Sequence, residues 1–243
     1  MVFQSLTSRV GCGKNLTMNK ILVVIPFSEN DAILAEHLCD WIFLLNKRVQ
    51  KGHALLVVAG DVHAEMRAKV ELAAQVAFET VDVVSAPAIV SKNKNTHVNA
   101  LFRVAAETVS KRFTLPWLWL EPDAVPLKAG WLKAITDAYY SQPKRYSGSW
   151  MKASELFLAR VSVYPHDAIN DLAPYLDDHG IFNMNAGMSI IPASTKTRLC
   201  QEVAIYEEST TINPEAVILH HDKSAVLLTS LREKMEQSET RKK

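Results

Sequence analysis

Two kinds of apolar pattern alternate along the first half of this chain. Ile21–Pro26 (ILVVIP) is a short continuous apolar run, the signature of a strand buried on both faces of a parallel sheet. It gives way to Phe27-Ser28-Glu29-Asn30-Asp31, a polar loop able to cap a helix. Over Ala32–Val49 the apolar residues Leu34, Leu38, Trp41, Ile42 and Leu45 recur at helical spacing. Ala54–Ala59 (ALLVVA) predicts a second strand, closed by Gly60-Asp61, and helical sequence follows from His63 to Ala77. Val81–Ser85 predicts a third strand, Thr96–Lys111 a helix, and Trp117–Leu120 a fourth strand. This alternation predicts an α/β fold with a doubly wound, mostly parallel sheet. In such sheets ligands sit beyond the carboxyl ends of the strands. Phe27–Asp31 falls at one such end, and Glu121 and Asp123 fall at another.

The second half is less regular. The pattern predicts a helix over Gly130–Tyr140, strands with turns over Tyr146–Val163, and loop with a short helix over Asp167–Leu176. Phe182–Pro192 (FNMNAGMSIIP) starts polar and reads as ending in a strand. Ser194–Ser209 reads as helix and Ala216–Leu219 as a last strand, and the charged tail from Leu231 is expected to fray. With no internal repeat and no linker, one domain is expected over residues 18–230. Residues 1–17 are expected to be a disordered leader and 231–243 a charged tail.

Composition narrows the class. A chain of 243 residues is long enough for one sizeable domain. Eight glycines exclude a collagenous or linker-rich chain. The net charge of +1, from 27 basic and 26 acidic residues, lacks the excess of a strongly basic nucleic-acid binder but leaves a local basic face open. Cys12, Cys39 and Cys200 form no CxxC pair and read as free thiols of a reducing, cytoplasmic compartment. Residues 1–17 lack the apolar core of a signal peptide, no run is long enough to span a membrane, and GCGK lacks P-loop spacing.

Candidate chemistry concentrates in WLWLEPDAVPLKAGW, residues 117–131. In extended chain, positions i and i+2 share a face, so Glu121 and Asp123 are expected to point into one site, with Pro122 stiffening the turn. Two converging acids repel unless a cation lies between them, and Mg²⁺ or Mn²⁺ suits carboxylate oxygens. The plain alternative is a strand-end turn with solvated acids. The pair His220-His221 is, taken alone, equally at home in a solvated loop.

Five stretches stand in order between residues 21 and 223: ILVVIPFSEND, ALLVVAG, WLWLEPDAVPLKAGWL, FNMNAGMSII and ILHHDKS. Together they resemble the GT-A fold of nucleotide-sugar glycosyltransferases, and the less regular part, residues 141–179, would be an acceptor-side insertion in that single domain. The resemblance implies that Pro26, Ser28 and Glu29 hold the nucleotide. EPD stands where that family carries its DxD motif, so Asp123 would contact a metal directly, and Glu121 through water or by way of the donor ribose. Asn185 and Gly187 would line the donor sugar, His220 or His221 would complete the metal site, and Lys223 would meet the diphosphate. In SKNKNTHVNALFRV, Lys92, Lys94, Asn95 and Asn99 are implied nucleotide contacts; the alternative is a solvated loop with Asn95 or Thr96 capping a helix.

The implied reaction moves a sugar from a nucleotide diphosphate, most simply a UDP-sugar, to a hydroxyl, with Mn²⁺ or Mg²⁺ neutralising the leaving group. Inversion would need a carboxylate base, for which Asp177 and Asp178 are the candidates and His179 a weaker one; a polar turn ending at Gly180 is the plain alternative, and retention needs no such base. The insertion mixes Tyr146, Trp150, Met151, Phe157 and Tyr164 with Lys144, Arg145, Lys152 and Arg160, as a sugar or flipped-base site would, and as ordinary core and surface also do. The wording WLWLEPDAVPLKAGWL is similar to small bacteriophage glycosyltransferases, some of which modify hydroxymethylated pyrimidines in DNA. That leans the acceptor towards modified DNA over a glycan or small molecule, although the near-zero charge argues against tight nonspecific DNA binding. A nucleotidyltransferase of the same topology would carry a glycine-rich basic loop after the first strand, which FSEND is not. A nucleotide-binding module without catalysis is the non-enzyme alternative.

Overall fold

The computed structural model describes residues 19–88, 94–176, 182–203, 206–207 and 209–240. The first half follows the apolar pattern. Leu22–Phe27 forms β1, Ala32–Asn46 α1, Gln50–Val58 β2, Ala64–Ala77 α2, Phe78–Ser85 β3, Lys94–Arg112 α3 and Trp117–Trp119 β4. Then come β5 (Ala124–Pro126), α4 (Trp131–Tyr140), β6 (Tyr146–Lys152), β7 (Leu156–Tyr164) and the short α5 (Ile169–Leu172). The chain ends with α6 (Phe182–Asn185), α7 (Gly187–Ile190), β8 (Ser194–Lys196), β9 (Cys200–Glu202), β10 (Ile218–His220) and α8 (Val226–Thr240).

Seven strands form the main sheet in the order β3-β2-β1-β4-β7-β6-β8. The pairs β1–β2, β1–β4, β2–β3 and β6–β8 are parallel, and β7 runs antiparallel to both neighbours. From β1 the chain steps outward through β2 to β3, then returns to place β4 on the other side of β1. The strand order therefore reverses between β1 and β4, the topological switch point at which open α/β sheets bind ligands.

Both faces of the sheet are buried, which explains why its strands read as continuous apolar runs. Val23, Ile25, Phe27, Leu118 and Leu120 join Leu38, Ile42, Val70, Ala74 and Trp131 in one core. The alternate residues Leu22, Val24, Trp117 and Trp119 pack with Phe102, Ala105 and Val109 of α3 in the other. The Phe102 ring centroid lies 5.0 Å from that of Trp117 and 5.1 Å from that of Trp119. Pro26 sits inside β1 opposite Val57 without breaking the ladder. The β1–β4 pairing runs only from Leu22 to Val24, and Phe27 turns its carbonyl to Ala59 on the β2 side, so the missing N–H of Pro26 faces the edge where β4 has already ended.

A second, three-stranded sheet, β5-β10-β9, lies beyond the end of β4. Trp41, Val125, Leu219, Leu227 and Leu228 join it to α1 and α8. The start of α8 is capped by buried Asp222, whose Oδ1 and Oδ2 accept the backbone N–H groups of Leu227 and Leu228 at 3.1 and 3.0 Å.

Three expectations change. Residues 182–193 form α6, α7 and a 3-10 turn rather than a strand, and α7 packs tightly on β7. The stretch from Ser194, expected as helix, instead supplies β8 and β9, because pairing with β6 and β10 overrides its helical spacing. The expected fraying tail is helical to Thr240, and Leu231 and Met235 pack against the third core. Cys39 and Cys200 are buried free thiols, as expected, and Cys12 lies outside the described residues. Among the described residues no helix is long and apolar enough to cross a membrane.

Candidate metal and donor site

Where β4 ends, the Glu121 carbonyl accepts a hydrogen bond from the Ala124 N–H at 2.9 Å, closing a four-residue turn with Pro122 in its second position. Glu121 and Asp123 thus meet through a turn, not through the side-chain alternation of extended chain that the sequence suggested. The register of the small sheet does the rest. Ala124 in β5 and Glu202 in β9 both stand opposite His220 in β10. The backbone N–H of Asp222 donates to the Asp123 carbonyl at 3.0 Å, fixing the chain after β10 to the same turn.

His220 is the hub. Its Nε2 lies 2.8 Å from Glu121 Oε2 and 3.2 Å from Asp123 Oδ1, and its Nδ1 lies 2.6 Å from Glu202 Oε2. The side chain is 1% exposed. Burial alone would push its pKa down, but the bonds to Asp123, Glu121 and Glu202 outweigh that and raise it well above the ordinary value. His221 goes the other way, lowered by burial and by the neighbouring His220. Glu121 is opposed by burial, yet the Arg160 guanidinium at 3.2 Å, His220 and the Trp119 indole N–H hold its carboxyl down at about 2.

Asp123, His220 and His221 each offer a ligand atom, and those atoms all lie within 4.8 Å of one another. The donor set fits a divalent ion. A carboxylate oxygen with imidazole nitrogens suits Mn²⁺, and a carboxylate-rich setting accepts Mg²⁺. Electrostatics agree: Glu121, Asp123 and Glu202 surround one imidazole with Arg160 as the cation paired to Glu121, so positive charge at Nε2 is favoured. Glu121 stands outside the three-ligand group, tied instead to Trp119 and Arg160.

The remaining candidates are dispersed. Ser28 and Glu29 follow β1 at the switch point but are engaged locally: the Ser28 hydroxyl donates to Asp31 Oδ2 at 2.8 Å, and Glu29 Oε2 accepts the His63 backbone N–H at 2.9 Å. Pro26 is buried within β1, and Asn99 is buried on α3. Lys94 opens α3, with its side chain outside the described residues, as Lys92 is entirely. Asn185 is exposed on α6. Gly187 is required by packing, since a Cβ there would come within 2.5 Å of the Leu156 carbonyl oxygen. Lys223 is exposed in the turn after β10. Asp177 and Asp178 lie outside the described residues, as does His179.

Sequence reading missed Glu202 altogether, and it placed Arg160 on the acceptor side instead of beside Glu121. Neither carries a local signal; each arrives through strand pairing with a distant segment.

No protein-family model matches the sequence, and no curated protein matches it significantly. Solved structures do match the fold. The galactosyltransferase LgtC, solved in complex with donor and acceptor sugar analogs, superposes with a TM-score of 0.56 at 8% identity, over 88% of this chain and 94% of its own. Mouse xyloside xylosyltransferase 1 gives 0.52 at 10% identity, over 84% of this chain and 98% of its own. The mannosyltransferase PcManGT of Pyrobaculum calidifontis, in complex with GDP-Man and Mn²⁺, gives 0.50 at 13% identity over 73% of this chain and 54% of its own. At these identities the likeness establishes the GT-A fold of the chain.

Proposed function

We propose that this chain is a nucleotide-sugar glycosyltransferase that holds its donor diphosphate at Asp123, His220 and His221 through Mn²⁺ or Mg²⁺. One observation carries the reading: these three ligand atoms converge within 4.8 Å beyond the end of β4, at the switch point of a GT-A sheet. Structural neighbours described as bound to donor analogs, or to GDP-Man with Mn²⁺, support it.

A bound divalent ion would supply Lewis acidity to the departing diphosphate. The chain's own residues do the rest. Asp123 and the two imidazoles would hold that ion, offering it one carboxylate oxygen and two ring nitrogens. Arg160 and Trp119 hold the Glu121 carboxylate in place beside His220. Lys223, exposed after β10, offers a point charge to a phosphate oxygen. The loop after β1 carries Ser28 and Glu29 at the nucleotide end of the switch point. Asp177 or Asp178 would serve as base if the reaction inverts.

The acceptor we propose is a hydroxyl group, and a hydroxymethylated pyrimidine in DNA is the specific candidate drawn from the sequence resemblance. Two basic residues of the insertion are already engaged: Arg145 pairs with Asp167 at 2.8 Å and Asp171 at 3.3 Å, and the Lys144 ammonium donates to the Pro192 carbonyl. A glycan or small-molecule hydroxyl is therefore the alternative acceptor.

The test is thermal stability against nucleotide diphosphates and nucleotide sugars, with Mn²⁺ and with chelator. A ligand at about 100 times its dissociation constant adds about 2.7 kcal/mol. The expected result is a metal-dependent shift with one nucleotide, lost in Asp123→Asn while the fold is retained. Absence of any shift, or a normal shift in the variant, overturns the site.

A further inference from the structure

We propose that Glu202 is the positioning residue of this site, holding the His220 ring by Nδ1 in the orientation that turns Nε2 towards a divalent cation. The inference rests on the metal reading above and adds to it a residue with no local sequence signal.

The geometry is specific. Glu202 and His220 are register partners in the parallel β9–β10 ladder, so their side chains rise from the same face of the small sheet. Glu202 Oε2 lies 2.6 Å from His220 Nδ1, and both side chains are buried, 6% and 1% exposed. A carboxylate only accepts, so Nδ1 carries the hydrogen. On the far edge of the ring Nε2 faces Glu121 Oε2 at 2.8 Å and Asp123 Oδ1 at 3.2 Å, so it too carries a hydrogen until a cation takes its place. Glu202 is itself held from its own strand: the Cys200 thiol lies 3.6 Å from its Oε1.

The next residue along performs the same service. His221 Nδ1–H donates to the Val203 carbonyl. The end of β9 therefore fastens both imidazoles by Nδ1, one through a side chain and one through the backbone. Carboxylate–histidine–metal relays of this form fix ring orientation and raise ligand basicity, and their loss typically weakens metal binding about 10–100-fold.

The test measures the Mn²⁺ dissociation constant of the full chain alongside urea stability and the ¹⁵N imidazole spectrum of His220 without Mn²⁺. Glu202→Leu removes the acceptor. Glu202→Gln keeps an acceptor oxygen without the charge and guards against a Leu variant that does not fold. Expected are Mn²⁺ binding weakened by roughly 100-fold in E202L and roughly 10-fold in E202Q, and a population of the Nε2–H tautomer in E202L. Mn²⁺ affinity equal to wild type in either folded variant overturns the positioning role alone, provided His220→Ala loses it. Affinity retained in H220A overturns the metal reading, and the positioning role with it. A merely structural Glu202 would lower urea stability while leaving both the tautomer and the affinity of the folded protein unchanged.

Discussion

The rings of His220 and His221 lie with centroids 4.0 Å apart although the residues are consecutive. Neighbours in a strand point to opposite faces. The exception has a visible cause: His221 adopts φ 83°, a left-handed backbone uncommon for any residue but glycine. Strain of this kind costs on the order of 1 kcal/mol or more and gathers at functional sites. His221→Ala keeps the strain and loses the ring, whereas His221→Gly loses the ring and relieves the strain. H221G is therefore expected to be more stable than H221A by about 1 kcal/mol in urea titrations, with Mn²⁺ binding weakened equally in both. H221A as the more stable variant would show that the backbone relaxes once the imidazole is gone.

Glu121 and Arg160 form a partly buried pair, reinforced by the Trp119 indole. Removing one partner strands the other, a loss that exceeds the net worth of the pair. Arg160→Met is expected to destabilise by about 3 kcal/mol. Adding Glu121→Gln to it should restore more than half of the loss, since the carboxylate no longer needs a counter-charge. A double variant as unstable as R160M would place the effect in packing of the arginine stem instead.

What the sequence disclosed follows a physical divide. The β-α alternation was readable because β1, β2 and β4 are buried on both faces and so carry unbroken apolar runs. The acids of the EPD turn and the His-His pair were readable because each is a local cluster. The second half was readable only in part: α4, β6, β7 and β10 fall on stretches whose pattern predicted them. β8 and β9 are each three residues long, too short to show a period of two, and they exist only through partners such as Tyr146 for Ser194 and Ile218 for Cys200. Glu202 and Arg160 escaped for the same reason: their places beside His220 and Glu121 are set by strand pairing with distant segments. The Glu121–Asp123 convergence was foreseen for the wrong local reason, since a turn and not an extended strand delivers it.

Asp82 provides a pH signature away from the site. Its Oδ2 meets His53 Nε2 at 2.6 Å and its Oδ1 meets Arg112 at 2.7 Å. Burial opposes its charge, but these two partners prevail and hold its pKa below the ordinary 3.8. A carboxyl with a depressed folded pKa contributes stability that is present above its unfolded value and lost as pH falls through the folded one. The stability gap between wild type and Asp82→Asn should thus hold above pH 3.8 and close below it. The residue is partly exposed, so the gap is expected to stay near 1 kcal/mol or less and to shrink in high salt. A gap that widened towards acid pH would reverse the assignment.

Gly148 lies where the β6–β7 register shifts, and the reason it is glycine is steric. A Cβ there would fall 1.9 Å from Ser162 Oγ and 2.7 Å from Ser162 Cβ across the ladder, and 3.2 Å from a Leu158 methyl. Ser162 has little room to retreat, being buried with its hydroxyl donating to the Ala159 carbonyl at 2.6 Å. Gly148→Ala is therefore expected to destabilise by about 1–3 kcal/mol through overpacking. The clash names its own remedy. In Gly148→Ala with Ser162→Gly the new methyl takes the space of the one removed, so the double variant should be more stable than G148A alone, a coupling that independent sites do not show. Additive losses in a double-mutant cycle would mean that β6 and β7 slide apart to admit the methyl, and that the bulge is softer than the buried register beside it.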